Sequence, residues 1–279
     1  ANGRLRGNAM RYLKGSVVLS ERLDIPALRT VYHAGHVTVR QVFRALYRIA
    51  GTSAPSSTPL APGIVRMEKT LWDTFSRRMR TLAERGYVVC APVADLDTPV
   101  LSLSREGEAV LATRGGRIVE VGTRSTHGSR RNQVRHDVEL FEIYLQVQRC
   151  PLFGSWHFEP EIRADNNYTA RGYVKDYDAI VTFRAEGRSA AVAFEYERSP
   201  KRTQDYERIG QELARERRVN AVVYATPTPQ LAEFVAHGFR NAMHKVYVTV
   251  AHEFASDPAK APLNDTRVER TVRVADLLS

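Results

Sequence analysis

A chain of 279 residues with 43% hydrophobic and 26% charged side chains has enough apolar material for two packed units, which excludes a disordered or low-complexity protein. No apolar run approaches the ~18 residues of a membrane span, and no apolar signal stretch follows the basic N-terminus, so the expected location is cytoplasmic. The formal net charge of +10 is unevenly placed: residues 1–135 hold 22 Lys and Arg against 10 Asp and Glu, and residues 136–279 hold 19 against 21. A positive field confined to one half suits a polyanion, with duplex DNA the expected partner and RNA or an anionic membrane surface the alternatives, because neutralised phosphates release counterions.

In chain order, IPALRTVYHAG reads as a helix stopped by Gly35, and Thr38 as the N-cap of a second helix, VRQVFRALYRIA. There Val39, Val42, Phe43 and Leu46 form one apolar stripe, and Gly51 ends the helix. The stretch GTSAPSSTPLAPG, residues 51–63, reads as a long loop. A third helix, KTLWDTFSRRMRTLAERGYV, buries Leu71, Phe75, Met79 and Leu82 and stops at Gly86. Its other face presents Arg77, Arg80 and Thr81, flanked by Arg78 and Arg85.

A strand, an acidic turn at Asp95 and Asp97, a returning strand and a short helix at REGEAVL come next. Three helices and a hairpin make the order of a winged helix-turn-helix, whose third helix enters the DNA major groove, so residues 1–113 are expected to form a DNA-binding unit. The competing reading of that arginine face is a solvated side of a helical bundle. Residues 114–135 read as a basic linker; six arginines lie between 114 and 136, and Arg130 and Arg131 are expected to follow a phosphate backbone.

Composition changes near His136. HDVELFEIYLQVQR is helical in spacing; WHFEPEIRA, DAIVTFR and RSAAVAFEYE read as strands; RTQDYERIGQELARERR is a helix, NAVVYATP a strand, TPQLAEFVAHGFRNAM a helix and KVYVTVAHE a strand. The expected fold class is therefore α/β, with a mixed sheet flanked by helices over residues 136–279.

The acids of this half are expected to converge. If Glu186 and Gly187 form a two-residue turn, antiparallel pairing sets Asp178 opposite Glu195 and Asp176 opposite Glu197; a three-residue loop would slip that register by one. Like charges across a ladder repel, and partial burial beside Ala191 and Ala193 raises the cost; an edge exposed to water would tolerate them. A divalent cation turns the same cluster into a site, since Mg²⁺ takes one or two carboxylates, waters and a phosphate oxygen. Arg198, Lys201 and Arg202 stand at the start of the next helix, where a phosphate can be met. Cys90 and Cys150 stand far apart and read as reduced core residues, and the eight scattered histidines contain no HExxH pair.

With Tyr177-Asp178 followed by Glu195-Tyr196-Glu197 in this element order, residues 136–254 resemble the PD-(D/E)XK nuclease superfamily. The resemblance implies Mg²⁺ or Mn²⁺ held by Asp178 and Glu195, with Asp176 as an outer ligand and a further acid, Glu139 or Glu142, from the first helix. Glu197 stands where the family has lysine; it becomes a third metal ligand or the general base, with Lys175 or Lys201 supplying the missing cation. Behind a winged helix, and with ERSPKRTQDYERI after the acidic strand, the whole chain is similar to replication-relaxation (MobC-type) plasmid mobilisation proteins. That likeness implies plasmid or mobile-element DNA and a relaxase or other transfer protein as partners. The alternatives are a Mg²⁺-dependent endonuclease, as a nicking enzyme or a double-strand-cutting homodimer, and a non-catalytic accessory or regulator with a degenerate nuclease unit.

Overall fold

The computed structural model describes residues 18–47, 62–93, 96, 98–114, 127–169 and 172–278, the side chains of 62–68 and 127–131 excepted. The protein is mixed α/β, with helices around two sheets. The predicted loop over 51–61, the stop at Gly51, the acidic turn at Asp95 and Asp97 and the linker residues 115–126 lie outside the described residues.

The first unit comprises α1 (Asp24–Ala34), β1 (His36–Thr38), α2 (Val39–Tyr47), α3 (Pro62–Glu84), β2 (Val88–Ala91), β3 (Val100–Leu103) and α4 (Arg105–Ala112). Gly35, at φ 71, ends α1 and turns the chain into β1, a strand the sequence did not suggest. Three residues suffice for it because they pair with β3, giving a small sheet in the order β1-β3-β2. Thr38 caps α2 reciprocally: its Oγ1 accepts from the Gln41 amide at 3.2 Å, and Gln41 Oε1 accepts from the Thr38 amide at 3.0 Å. Along α3, Phe75, Met79 and Leu82 are buried as their spacing predicts. The helix also starts earlier than expected, at Pro62, where a proline at the first helical position costs nothing.

The second unit begins with α5 (His127–Val147) and continues through β4 (Phe153–Phe158), α6 (Glu159–Tyr168), β5 (Ala179–Ala185), β6 (Arg188–Tyr196), α7 (Thr203–Leu213), β7 (Ala221–Thr226), α8 (Pro229–Phe239), β8 (Val246–Val250), α9 (Ala251–Ser256), β9 (Leu263–Asp265) and β10 (Thr271–Val272), closing on a 3₁₀ turn at Val274–Leu278. Its sheet is ordered β10-β9-β8-β7-β6-β5-β4, with β6, β7 and β8 parallel and the remaining pairs antiparallel.

Elements of this unit differ from expectation, beginning with α5, which starts at His127 inside the stretch read as a linker. EPEIRA forms α6 instead of extending a strand, since Pro160 suits a first helical turn and the Glu161 carboxylate accepts the Phe158 amide at 2.8 Å. The AHE segment turns into α9. Helix α7 stops at Leu213, short of the arginine run, because the Glu216 carboxylate accepts the amides of Arg217 and Arg218 at 2.8 and 2.7 Å and draws that backbone out of the helix.

The large sheet buries both faces. Val192, Phe194 and Tyr196 join Phe141 of α5 and Phe254 of α9 on one side, and Ala193, Val222 and Val248 join Tyr206, Val235 and Phe239 from α7 and α8 on the other. Leu28, Phe43 and Phe75 of the first unit belong to the same apolar cluster as Phe141 and Phe194, so α5 has the first unit on one flank and the sheet on the other. Among the described residues no helix is long and apolar enough to cross a membrane.

Candidate acid and lysine site

The β5–β6 hairpin sets the geometry. Glu186 and Gly187 take φ values of 50° and 78°, the left-handed pair of a tight two-residue turn. Pairing then runs from Ala185↔Arg188 to Ala179↔Phe194, the register read from the sequence. Asp178 comes next after the ladder ends, and its Oδ2 accepts the Tyr196 amide at 2.8 Å, so the carboxylate reaches across to the strand that bears Glu195.

Because β6 alternates, Glu195 points away from Phe194 and Tyr196 toward the α7 and α8 side. It is 8% exposed and Glu197 is 7% exposed. Burying a carboxylate is costly without a partner, and each has one. The Lys175 ammonium lies 2.8 Å from Glu195 Oε1, an ion contact off hydrogen-bond alignment that leaves this buried oxygen without a hydrogen bond. Lys201 pairs with Glu197, whose backbone amide donates to Ala225 at 2.9 Å. Lys201 is itself anchored, its own amide donating to the Tyr206 hydroxyl at 3.0 Å.

Two expected participants go elsewhere. Asp176 is exposed and turns to α6, accepting from Asn166 Nδ2 at 2.7 Å and lying 3.5 Å from Arg163 Nε, apart from the acids it was expected to join. Of the α5 acids, Glu139 accepts from the Tyr196 hydroxyl and Arg198 Nε at 2.8 and 2.7 Å, and Glu142 pairs with Arg44 at 2.7 Å. The α5 residue that does reach Asp178 is His136, with Nε2 at 3.2 Å from Oδ2 and Nδ1 at 3.3 Å from Asp137 Oδ1. Its only signal in the sequence is its place one turn before Glu139, too slight to separate it from the other histidines.

The electrostatics follow from these pairings. Burial pushes the His136 imidazole down, but Asp137 and Asp178 outweigh it and raise its pKa to about 10, so the ring is an imidazolium donating from both nitrogens. Burial likewise works against ionisation of Asp178, yet the His136 bond, the Tyr196 amide and the Lys175 charge hold it below the ordinary carboxylate range. For Glu195, burial wins: its pKa rises to about 7 with Asp178 adding to the rise, although Lys175 opposes it.

No three His, Cys, Asp or Glu side chains gather into a metal-binding group among the described residues. Two oxygen-donor carboxylates, Asp178 and Glu195, one with a buried oxygen lacking a hydrogen bond, nevertheless suit a hard divalent cation that completes its shell with water and phosphate. A cleft of about 770 Å³ lined by Glu139, Tyr196 and His252 between α5 and α9 opens on the other face of β6 from Glu195.

On α3, Arg77 and Arg80 are exposed, as is Arg85 in the turn just after it, and Thr81 is half-buried with its hydroxyl donating to the Arg77 carbonyl. Arg78 turns inward instead: Nε donates to Asp24 Oδ1 at 2.8 Å, Nη2 to Asp24 Oδ2, and Nη2 also to the Val18 carbonyl at 2.9 Å. Arg130 and Arg131 fall on α5, their side chains outside the described residues. Cys150 is buried as expected, but Cys90 is exposed on the edge strand β2. Compared with family models, curated proteins and solved structures, the chain has no match in any of the three.

Proposed function

We propose that this chain grips duplex DNA through its first unit and carries, in its second, a phosphodiester-cleaving site of the PD-(D/E)XK kind acting on plasmid or mobile-element DNA. The observation that carries the reading is the meeting of Asp178, Glu195 and Glu197 with Lys175 and Lys201 at the adjoining ends of β5 and β6. The element order α5, β4, α6, β5, β6, α7, β7, with α6 inserted between the first two strands, supports the nuclease-like assignment. For the first unit, the β1-β3-β2 sheet behind three helices supports a winged helix-turn-helix, with Arg77 and Arg80 of α3 and Arg85 just beyond it toward the phosphates.

Asp178 and Glu195 would hold Mg²⁺ or Mn²⁺, which when bound would supply charge neutralisation at the attacked phosphate and a more acidic water. His136 and the Tyr196 amide fix the Asp178 carboxylate. Lys201 orients Glu197, which takes the proton of the attacking water at its carboxylate as the new P–O bond forms; the P–O3′ bond breaks, the leaving 3′ oxygen takes a proton from solvent, and Lys175 brings a positive charge beside Glu195 for the developing phosphate anion.

A second reading, a DNA-binding accessory or regulator that does not cut and serves a relaxase or a second copy of itself, is favoured by one observation. Each of the three carboxylates already carries a protein cation: His136, Lys175 and Lys201. Supercoiled plasmid incubated with the protein in Mg²⁺, Mn²⁺ or EDTA separates the two. Divalent-dependent cutting that Glu195→Ala abolishes supports the nuclease; intact plasmid with salt-sensitive binding supports the accessory; absence of both binding and cutting overturns the two together.

A further inference from the structure

We infer that Asp137 and His36 are positioning residues for Asp178, so that the first unit is built into the acid site and does not merely adjoin it. His36 lies on β1, and its Nδ1 donates to Asp137 Oδ2 at 2.7 Å. Asp137 is 5% exposed on α5, and its other oxygen accepts from Gln133 Nε2 at 2.5 Å and from His136 Nδ1 at 3.3 Å. His136 passes the link on, Nε2 to Asp178 Oδ2 at 3.2 Å, while its ring centroid sits 5.6 Å from that of Tyr196. Asp178 Oδ2 in turn accepts the Tyr196 amide. The chain of contacts from His36 to Tyr196 crosses from the small sheet to the large one through side chains and ends on a backbone amide.

Each link ends on a carboxylate, and such charge-assisted bonds in a largely dry setting are strong and directional. An imidazole held at both nitrogens cannot rotate, which leaves Asp178 one preferred orientation. Beside this line, Gln41 Nε2 donates to the Val138 carbonyl at 2.8 Å and Arg44 pairs with Glu142 at 2.7 Å, so α2 holds α5 in the same place. The functional meaning rests on the proposed site: a ligand carboxylate aimed from the DNA-binding unit is set only when that unit is docked.

The Tyr196 amide reads the carboxylate directly. It faces β5 beyond the last ladder pair, with Asp178 as its acceptor, whereas the next amide, Glu197, is held independently by Ala225 on β7 at 2.9 Å. In the full chain, free of divalent ions and of DNA, amide exchange at Tyr196 and Glu197 is followed by NMR in the wild type, His36→Ala, Asp137→Ala and His36→Asn. The expected result is Tyr196 exchange about tenfold faster in His36→Ala and Asp137→Ala, the size of weakening one hydrogen bond to a charged group that protects a local opening, with Glu197 unchanged. His36→Asn, whose amide nitrogen replaces Nδ1, restores the wild-type rate. Wild-type exchange at Tyr196 in His36→Ala, or Tyr196 and Glu197 accelerating together, overturns the inference. If Asp137→Ala does not fold, the two His36 variants decide alone. Because the readout uses neither DNA nor divalent ion, it stands or falls apart from the plasmid experiment.

Discussion

The first unit displays its cations and the second hides its acids. Arg77 and Arg80 on α3 and Arg85 just beyond it stand in solvent, whereas Glu195 and Glu197 are almost wholly buried at the end of β6. An exposed arginine costs almost nothing and needs no companion, so a basic face can arise from composition alone. A buried carboxylate costs several kcal/mol unless a cation comes with it, so Lys175, Lys201 and His136 have to be assembled around the acids. Arg78 marks the boundary between the two regimes: it sits in the same helix as Arg77 but obeys the rule of the second unit, paired with an Asp24 that is 0% exposed.

That boundary yields the largest expected effect. Arg78→Ala strands the Asp24 carboxylate in the core and should lower stability by about 3 kcal/mol in a denaturant titration, while Arg77→Ala one position away changes it by less than about 0.5 kcal/mol. Equal effects from the two would erase the distinction between displayed and buried charge. Arg77→Glu with Arg80→Glu tests the exposed side on the proposed function. Duplex affinity should fall by about tenfold or more, and the slope of log K against log salt by about 0.9 per lost phosphate contact, with the fold intact by circular dichroism.

A smaller change tests what sets the acids in register. Gly187→Ala places a side chain at φ 78°, costing about 1 kcal/mol; thermal unfolding of this variant should show that loss, and no loss would mean the turn is not what holds the hairpin. The smallest expected shift concerns pH. Glu195 has its pKa raised from 4.5 to about 7, so the folded state holds this proton more tightly than the unfolded chain. The stability it contributes is complete below 4.5 and is lost as pH rises through 7. In metal-free buffer the wild type should therefore fall by about 2 °C relative to Glu195→Gln between about pH 6 and about pH 7, and parallel curves would show that Glu195 is not held in a costly place.

The acidic hairpin was legible because its determinants are local. The glycine of the Glu186–Gly187 pair suits a left-handed turn residue, and the alternation of VAFEYE then assigns faces without reference to the rest of the chain. The stripe of Phe75, Met79 and Leu82 was legible for the same reason. Asp176 was misplaced among the acids because its partners lie on α6, a helix in what read as a strand. Cys90 was taken for core because strand β2 looks buried by composition, yet it is an edge whose outer residues meet solvent.

Turn chemistry, apolar spacing and the division of charge are properties of neighbouring residues, and from them the amino-acid sequence determined the hairpin register, most of the element order and the two carboxylates on one strand. Which charge meets which is decided over longer reach. Arg78 finds Asp24 across 54 residues, His136 finds Asp178 across 42, and His36 finds Asp137 across 101. Only the packing of α5 between the two sheets brings those groups together, since a side chain's ion partner depends on where distant backbone is delivered and not on what stands beside it in the chain.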